Sequence, residues 1–237
     1  MYCLTLDSIK IKDIEISGNS TVSQDEITSI VKDEIGKKDL YFIPTDNFFL
    51  FKRFEIPETI LQNIKKIKSV NISFSGLNKI TVNVTERTPE NLWCDSGQGS
   101  SEKCYFMDNQ GLIFSDAPIF NGNLFPEYFG LITGSSPIGQ NYFDADMFVK
   151  ISNLFSNIKK MNLNPVSFKA LSKDEYEVNL ALGGKILLNG EQNFDTEMVN
   201  LQTLIDNNYI KTDDKTLSKL NYVDLRYNGK VPFLFNK

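Results

Sequence analysis

The side chains best suited to chemistry are few and scattered. Asp224 and Arg226 stand two apart in the run Tyr222-Val223-Asp224-Leu225-Arg226-Tyr227-Asn228-Gly229-Lys230-Val231. On a strand both point to one face, with Tyr222 beside them, while Val223, Leu225 and Tyr227 point to the other. That face could wall an active site; a structural ion pair or a solvated edge is the plainer reading. Asp108 with Gly111 is a turn signature before it is a catalytic carboxylate. Gly183-Gly184-Lys185 has phosphate-loop residues without the strand-to-helix setting such a loop needs. Glu86-Arg87 reads as a charge pair at a strand end. Lys65, Lys66 and Lys68 read as cations favoured at a helix C-terminus, with attraction to anionic lipid as the sharper alternative.

The chain has no His, which removes the commonest general base and transition-metal ligand, and with it any Ser-His-Asp or Cys-His unit. A pair of carboxylates working alone, as in glycosidases, is the one catalytic reading left open. The net charge of −5 lacks the basic footprint of a nucleic-acid binder. No cofactor or metal is expected.

Cys94 and Cys104 flank the polar loop 95–103 and lie on two apparent strands. Across an antiparallel pair they can reach disulfide spacing, stabilising by up to roughly 3 kcal/mol and implying an oxidising compartment. Two reduced, half-buried thiols remain the alternative. Two thiols without His do not make a zinc site.

The elements that must position these residues fall into two groups. Residues 9–16 alternate with a phase slip at Asp13, suggesting a bulge or two short pieces. Ser23 with Glu26 makes a capping box for a helix carrying Ile27, Ile30, Val31 and Ile35, closed by Gly36. Residues 39–54 are rich in Tyr and Phe, read as packing under a loop, with an exposed partner site as the alternative. Pro57 suits the first turn of a second helix, with Ile60, Leu61, Ile64 and Ile67 on its face. Val70, Ile72 and Phe74, then Ile80, Val82 and Val84, form a hairpin. Thr88-Pro89-Glu90-Asn91 marks a boundary.

The second group is richer in strands. Tyr105 to Met107 and Leu112 to Phe114 flank a tight turn, and residues 115–142 are irregular. A long helix follows, with Met147, Ile151, Leu154, Phe155, Ile158 and Met161 at helical spacing and Asp144 or Asp146 as its cap. A hairpin at 176–188 precedes a last helix capped by Asp195. The terminal strand, residues 221–231, is expected to present a free edge, either a docking surface or a hazard.

Ile14-Glu15-Ile16-Ser17-Gly18-Asn19 and Val22 to Ile27 resemble the opening of a POTRA domain. Val82 to Pro89 resembles its closing strand with a Glu-Arg-x-Pro exit. Tyr105 to Phe114, Gly184 to Gly190 and Tyr222 to Tyr227 resemble parts of an adjoining β domain. The order resembles the extracytoplasmic region of the bacterial cell-division family FtsQ/DivIB. The fold this implies is α+β: a small POTRA domain with two helices on a three-stranded sheet, then a mixed β domain with a C-terminal edge strand. The implied division is a juxtamembrane stub (1–8), the POTRA domain (9–87), the β domain (92–231) and a tail (232–237).

What the resemblance implies about function is a non-enzymatic scaffold of the divisome. It would sit on the extracytoplasmic face of the plasma membrane at the septum, with its single-pass anchor preceding this chain. Its partners would be FtsB/FtsL-type proteins and other divisome membrane proteins. An FtsB/FtsL-type partner would add a strand to the last strand of the β domain. The residues implied are Tyr227, Asn228, Gly229, Val231 and Phe233, with Pro232 limiting the edge. The Cys94–Cys104 pair is outside the family pattern. A chaperone-like POTRA module of outer-membrane assembly or secretion is the alternative function.

Overall fold

The computed structural model describes residues 10–39, 43–44, 46, 51, 53–95, 103–132 and 136–237. The chain divides into two compact units, 1–88 and 89–237. The stub at 1–8, together with Cys3, Tyr41, Phe42, Phe48 and Phe49, lies outside the described residues.

The first unit runs β1 (Asp13–Ser17), α1 (Gln24–Gly36), β2 (Lys38–Asp39), β3 (Ile43–Pro44), α2 (Glu55–Asn63), β4 (Ile67–Phe74) and β5 (Lys79–Glu86). Its sheet has the order β1-β5-β4, with β1 parallel and β4 antiparallel to β5. Among the described residues, the two-residue strands β2 and β3 pair only with each other. Alternation on β5 sends Ile80, Val82 and Val84 to one face, where Ile27 and Val31 of α1 and Ile56 and Ile60 of α2 are buried with them. Two helices on three strands is the expected α+β arrangement of this region.

Local chemistry sets the ends of these elements. The Ser23 side chain accepts from the Asp25 N–H at 3.2 Å and starts α1. Only the second of the two alternating pieces near the start is a strand; Lys10 makes an isolated bridge. Ile67 opens β4 rather than completing the face of α2. Phe51 packs edge-on against Phe74 at 5.3 Å, whereas Phe54 is exposed beneath Arg53. The end of β5 departs from a simple charge pair. The Glu86 carboxylate accepts from the N–H groups of Ser20, Thr21 and Val22 and from the Thr21 hydroxyl, and Arg87 donates to the Lys65 carbonyl. Partial burial pushes the Glu86 carboxyl up, but these donors outweigh it and hold it at about 2. The exit of β5 is thereby tied to the turn that launches α1.

The second unit contains β6 (Asn91–Asp95), β7 (Lys103–Met107), β8 (Ile113–Asp116), β9 (Glu127–Phe129), α3 (Ala145–Lys160), β10 (Pro165–Ala170), β11 (Glu175–Leu180), β12 (Lys185–Asn189), α4 (Phe194–Asp206), α5 (Asp214–Leu217), β13 (Leu220–Asp224) and β14 (Phe233–Phe235). Among the described residues these strands form one nine-stranded sheet, β14-β13-β12-β11-β10-β9-β6-β7-β8. Strand β9 is parallel to both its neighbours, β6 and β10, and β13 is parallel to β12; the remaining pairs are antiparallel. Helix α3 lies between β9 and β10 in the chain, and α4 with α5 between β12 and β13. These are the helical crossovers that parallel neighbours require.

The core of this unit is aromatic at its centre. Tyr128 of β9 stacks on Phe155 at 5.8 Å and lies 5.5 Å from Phe148 and 6.0 Å from Phe168. Phe168, fully buried, continues to Tyr176 at 5.2 Å. The sequence contains neither β9 nor β10 as visible strands, yet they hold this centre. Cys94 and Cys104 face each other across β6 and β7 and are joined by a disulfide, with Cα atoms 4.1 Å apart. Asp144 caps α3 through the Met147 N–H. Helix α4 is capped by Asn193, not Asp195. Phe194, buried beside Tyr176, draws the helix start back toward the sheet.

Candidate functional site

The terminal run departs most from expectation. Strand β13 stops at Asp224, and residues 225–232 form the connection of a hairpin whose second strand is β14. So 221–231 is not one strand, its edge is covered, and 232–237 is not merely a tail. The cause is local. The Asp224 carboxylate accepts from the Arg226 backbone N–H at 3.1 Å and from its guanidinium at 2.7 and 2.9 Å. This side-chain-to-backbone bond bends the chain out of the ladder. Gly229 then takes φ +74°, as the Asn-Gly pair at 228–229 favours in a hairpin loop.

The predicted face survives in part. Val223 and Leu225 are buried, while Tyr227 has left their register and is 53% exposed beside the Arg226 guanidinium. Asp224 and Arg226 are a structural ion pair, extended to Glu175 at 3.3 Å. Burial pushes the Asp224 carboxyl up, yet its bonds to Arg226 win and hold it below its usual value. Lys185, after the two glycines, pairs with Glu177 in the β11–β12 hairpin, which leaves no phosphate loop. Asp108 caps its own turn by accepting from Gln110 and Leu112. Lys65 reaches back to the Leu61 carbonyl at the end of α2. Among the described residues there is no group of three or more metal-ligating side chains, and no helix is long and apolar enough to cross a membrane.

Among the described residues, the outer edge of the sheet is therefore β14. Asp224 donates to the Pro232 carbonyl at 2.8 Å, and the reciprocal bond cannot form because Pro has no N–H. Alternation then turns the backbone N–H and C=O of Phe233 away from β13, toward the open side. Leu234 is 48% exposed, and Phe233 and Phe235 are half-buried with their rings 5.9 Å apart. Of the candidate residues, Phe233 lies on this strand, Val231 just before it, and Tyr227, Asn228 and Gly229 in the loop that leads to it. Leu234, Phe235 and Tyr209, which lies 6.4 Å from the Phe233 ring, join them in space. The signal for β14 was the Asn-Gly dipeptide followed by the apolar triplet 233–235.

The hairpin is braced from the turn that precedes α4. Gln192 donates to the Arg226 carbonyl at 2.9 Å. Nearby Glu197, 1% exposed, accepts from the Asn189 N–H at 3.2 Å through one oxygen, while its other oxygen has no hydrogen-bond partner among the described residues. Burial pushes its carboxyl up to about 7, against the opposing pull of the Asn189 N–H. The native state thus holds a proton that the unfolded chain releases near 4.5, the ordinary value of a glutamate. Stability from this group is fully present below that value and is lost as pH rises through about 7. Glu86 and Asp224, whose carboxyls are depressed, titrate well below this window, and there is no His. The second unit is expected to lose roughly 2–3 kcal/mol between pH 5 and pH 8. Glu197→Gln is expected to flatten that slope in urea titrations followed at Trp93.

Comparison with known proteins gives one family match. Residues 9–87 match the POTRA domain, FtsQ-type. No curated protein matches the chain. The matched span coincides with the first unit's helices and three-stranded sheet, and it supports a general role as a cell-division scaffold that acts through protein–protein interaction.

Proposed function

We propose that the chain is the extracytoplasmic part of a division scaffold and that it binds an FtsB/FtsL-type partner by strand addition at β14. The anchor would precede the first unit, and the complex would sit at the septum. The observation that carries this reading is the outward-facing backbone of β14, at the edge of the unit that follows an FtsQ-type POTRA domain. Main-chain bonds from Phe233 would supply affinity, and the surface of Tyr227, Val231 and Leu234 would supply selectivity. Edge strands are usually kept short or guarded. Here Pro232 and the three-residue length restrict pairing to a partner that also engages the loop 227–231.

The test is calorimetric titration with the extracytoplasmic segment of an FtsB-type protein from the same genome. Tyr227→Ala combined with Phe233→Ala is expected to weaken binding at least tenfold, about 1.4 kcal/mol. Because Phe233 also touches the core, a second variant separates binding from folding. N-methylation of the Phe233 backbone nitrogen, introduced by ligating a synthetic C-terminal segment, removes only the outward N–H and keeps the ring; it is expected to weaken binding while β13 keeps its ladder. Full affinity in both variants would overturn strand addition at β14.

A further inference from the structure

A second surface of the β-rich unit lies apart from β14, although Gln192, which braces the hairpin, lines it. Between α3 and the turn 190–195 lies a cleft of about 530 Å³. It continues into a groove of about 410 Å³ between α3 and α4, the two sharing Asn157, Asp195 and Met198. One wall is a single face of α3, because Lys150, Asn153 and Asn157 recur at three- and four-residue spacing. The floor is apolar, made by Leu154, Phe194 and Met198. The opposite wall carries Glu191 and Asp195. The side chains of Lys150, Asn153, Asn157, Glu191 and Asp195 make no hydrogen bond or ion pair among the described residues.

We propose that this cleft binds an extended peptide whose acidic and basic side chains alternate. The chemistry of the walls selects that occupant. A helix satisfies its own backbone, so unpaired Asn amides gain little from one; an extended chain offers free N–H and C=O groups that a carboxamide can both donate to and accept from. Charge sets the sequence pattern. Lys150 and, further along, Lys160 line the α3 side, facing Glu191 and Asp195 across the groove. Successive side chains of an extended chain point to opposite sides. Alternating acidic and basic residues would therefore send every carboxylate toward the lysines and every ammonium toward the carboxylates. The paired carboxylates disfavour a nucleic acid or an anionic lipid surface. From Met147 to Met161 the groove runs about 21 Å, at 1.5 Å per helical residue. That accommodates roughly six extended residues.

The probe is the capped hexapeptide Glu-Lys-Glu-Lys-Glu-Lys, with the block peptide Glu-Glu-Glu-Lys-Lys-Lys as a control of identical composition. Both are titrated into the 15N-labelled full chain. The alternating peptide is expected to shift amide resonances within 147–161 and 190–202 and to bind at least fivefold tighter than the block peptide. Asn153→Ala combined with Asn157→Ala, both outside the core, is expected to weaken it about tenfold. Equal binding of the two peptides would mean bulk charge attraction and would overturn the proposal. So would shifts confined to other regions, or none at millimolar peptide.

Discussion

Replacing Gly18 by alanine is expected to unfold the first unit while leaving the second folded. Gly18 follows β1 at φ +82°, a region that costs an L-residue energy by itself. An added Cβ would also fall 2.1 Å from the Val84 carbonyl oxygen. That atom is backbone in the central strand β5, so no side-chain rotation can relieve the clash. The strain and the overlap together amount to roughly 3–5 kcal/mol, a large share of a small domain's stability. The sole tryptophan, Trp93, lies in the second unit. Far-UV circular dichroism should therefore lose the first unit's contribution at low denaturant, while the Trp93 fluorescence midpoint stays in place. A dichroism transition identical to that of the unmodified chain would contradict the packing described around β1 and β5.

Phe168→Ala is expected to have the matching effect on the second unit. Phe168 is fully buried on β10, and its ring meets those of Tyr128, Tyr142, Phe143, Phe155 and Tyr176. Truncation removes the ring from a site walled by other rings on rigid strands and α3, so collapse into the cavity is limited. The expected cost is about 3–5 kcal/mol. Trp93 belongs to the same core and its indole N–H donates to the Gly130 carbonyl at 3.1 Å, so its emission follows the loss directly. The denaturant midpoint should fall with the slope unchanged. A shift below about 1 kcal/mol would show that the aromatic centre is not the unit's main source of stability.

Elements with local signals were legible. Ser23 and Asp144 cap their helices because a short polar side chain reaches a free N–H within three residues, a contact encoded in adjacent positions. The hairpin β4–β5 follows from alternation around a four-residue turn. Asp195 was the wrong cap because Asn193 and Asp195 both have capping chemistry, and burial of Phe194 decided between them. Strand β9 had no local signal. It spans three residues between Pro126 and Gly130 and pairs in parallel on both sides with β6 and β10, so distant chain makes it a strand. The free edge was misplaced for a related reason. Val223 and Leu225 do alternate inward, but the bond from Asp224 to Arg226 turns the chain, and β14 returns to cover the edge expected to be open.

By itself, the sequence determined the four longer helices but not α5, the two-unit division at the Pro89 boundary, the absence of histidine chemistry, and the cysteines' position across a strand pair. These depend on composition and on contacts between near neighbours, which periodicity and spacing record. Tertiary structure alone decided that, among the described residues, the second unit's strands form one nine-stranded sheet, that Glu197 is buried short of a partner, and that the outer edge belongs to β14. Each depends on which distant segments compete for the same backbone groups and the same buried volume. No window of adjacent residues contains that competition.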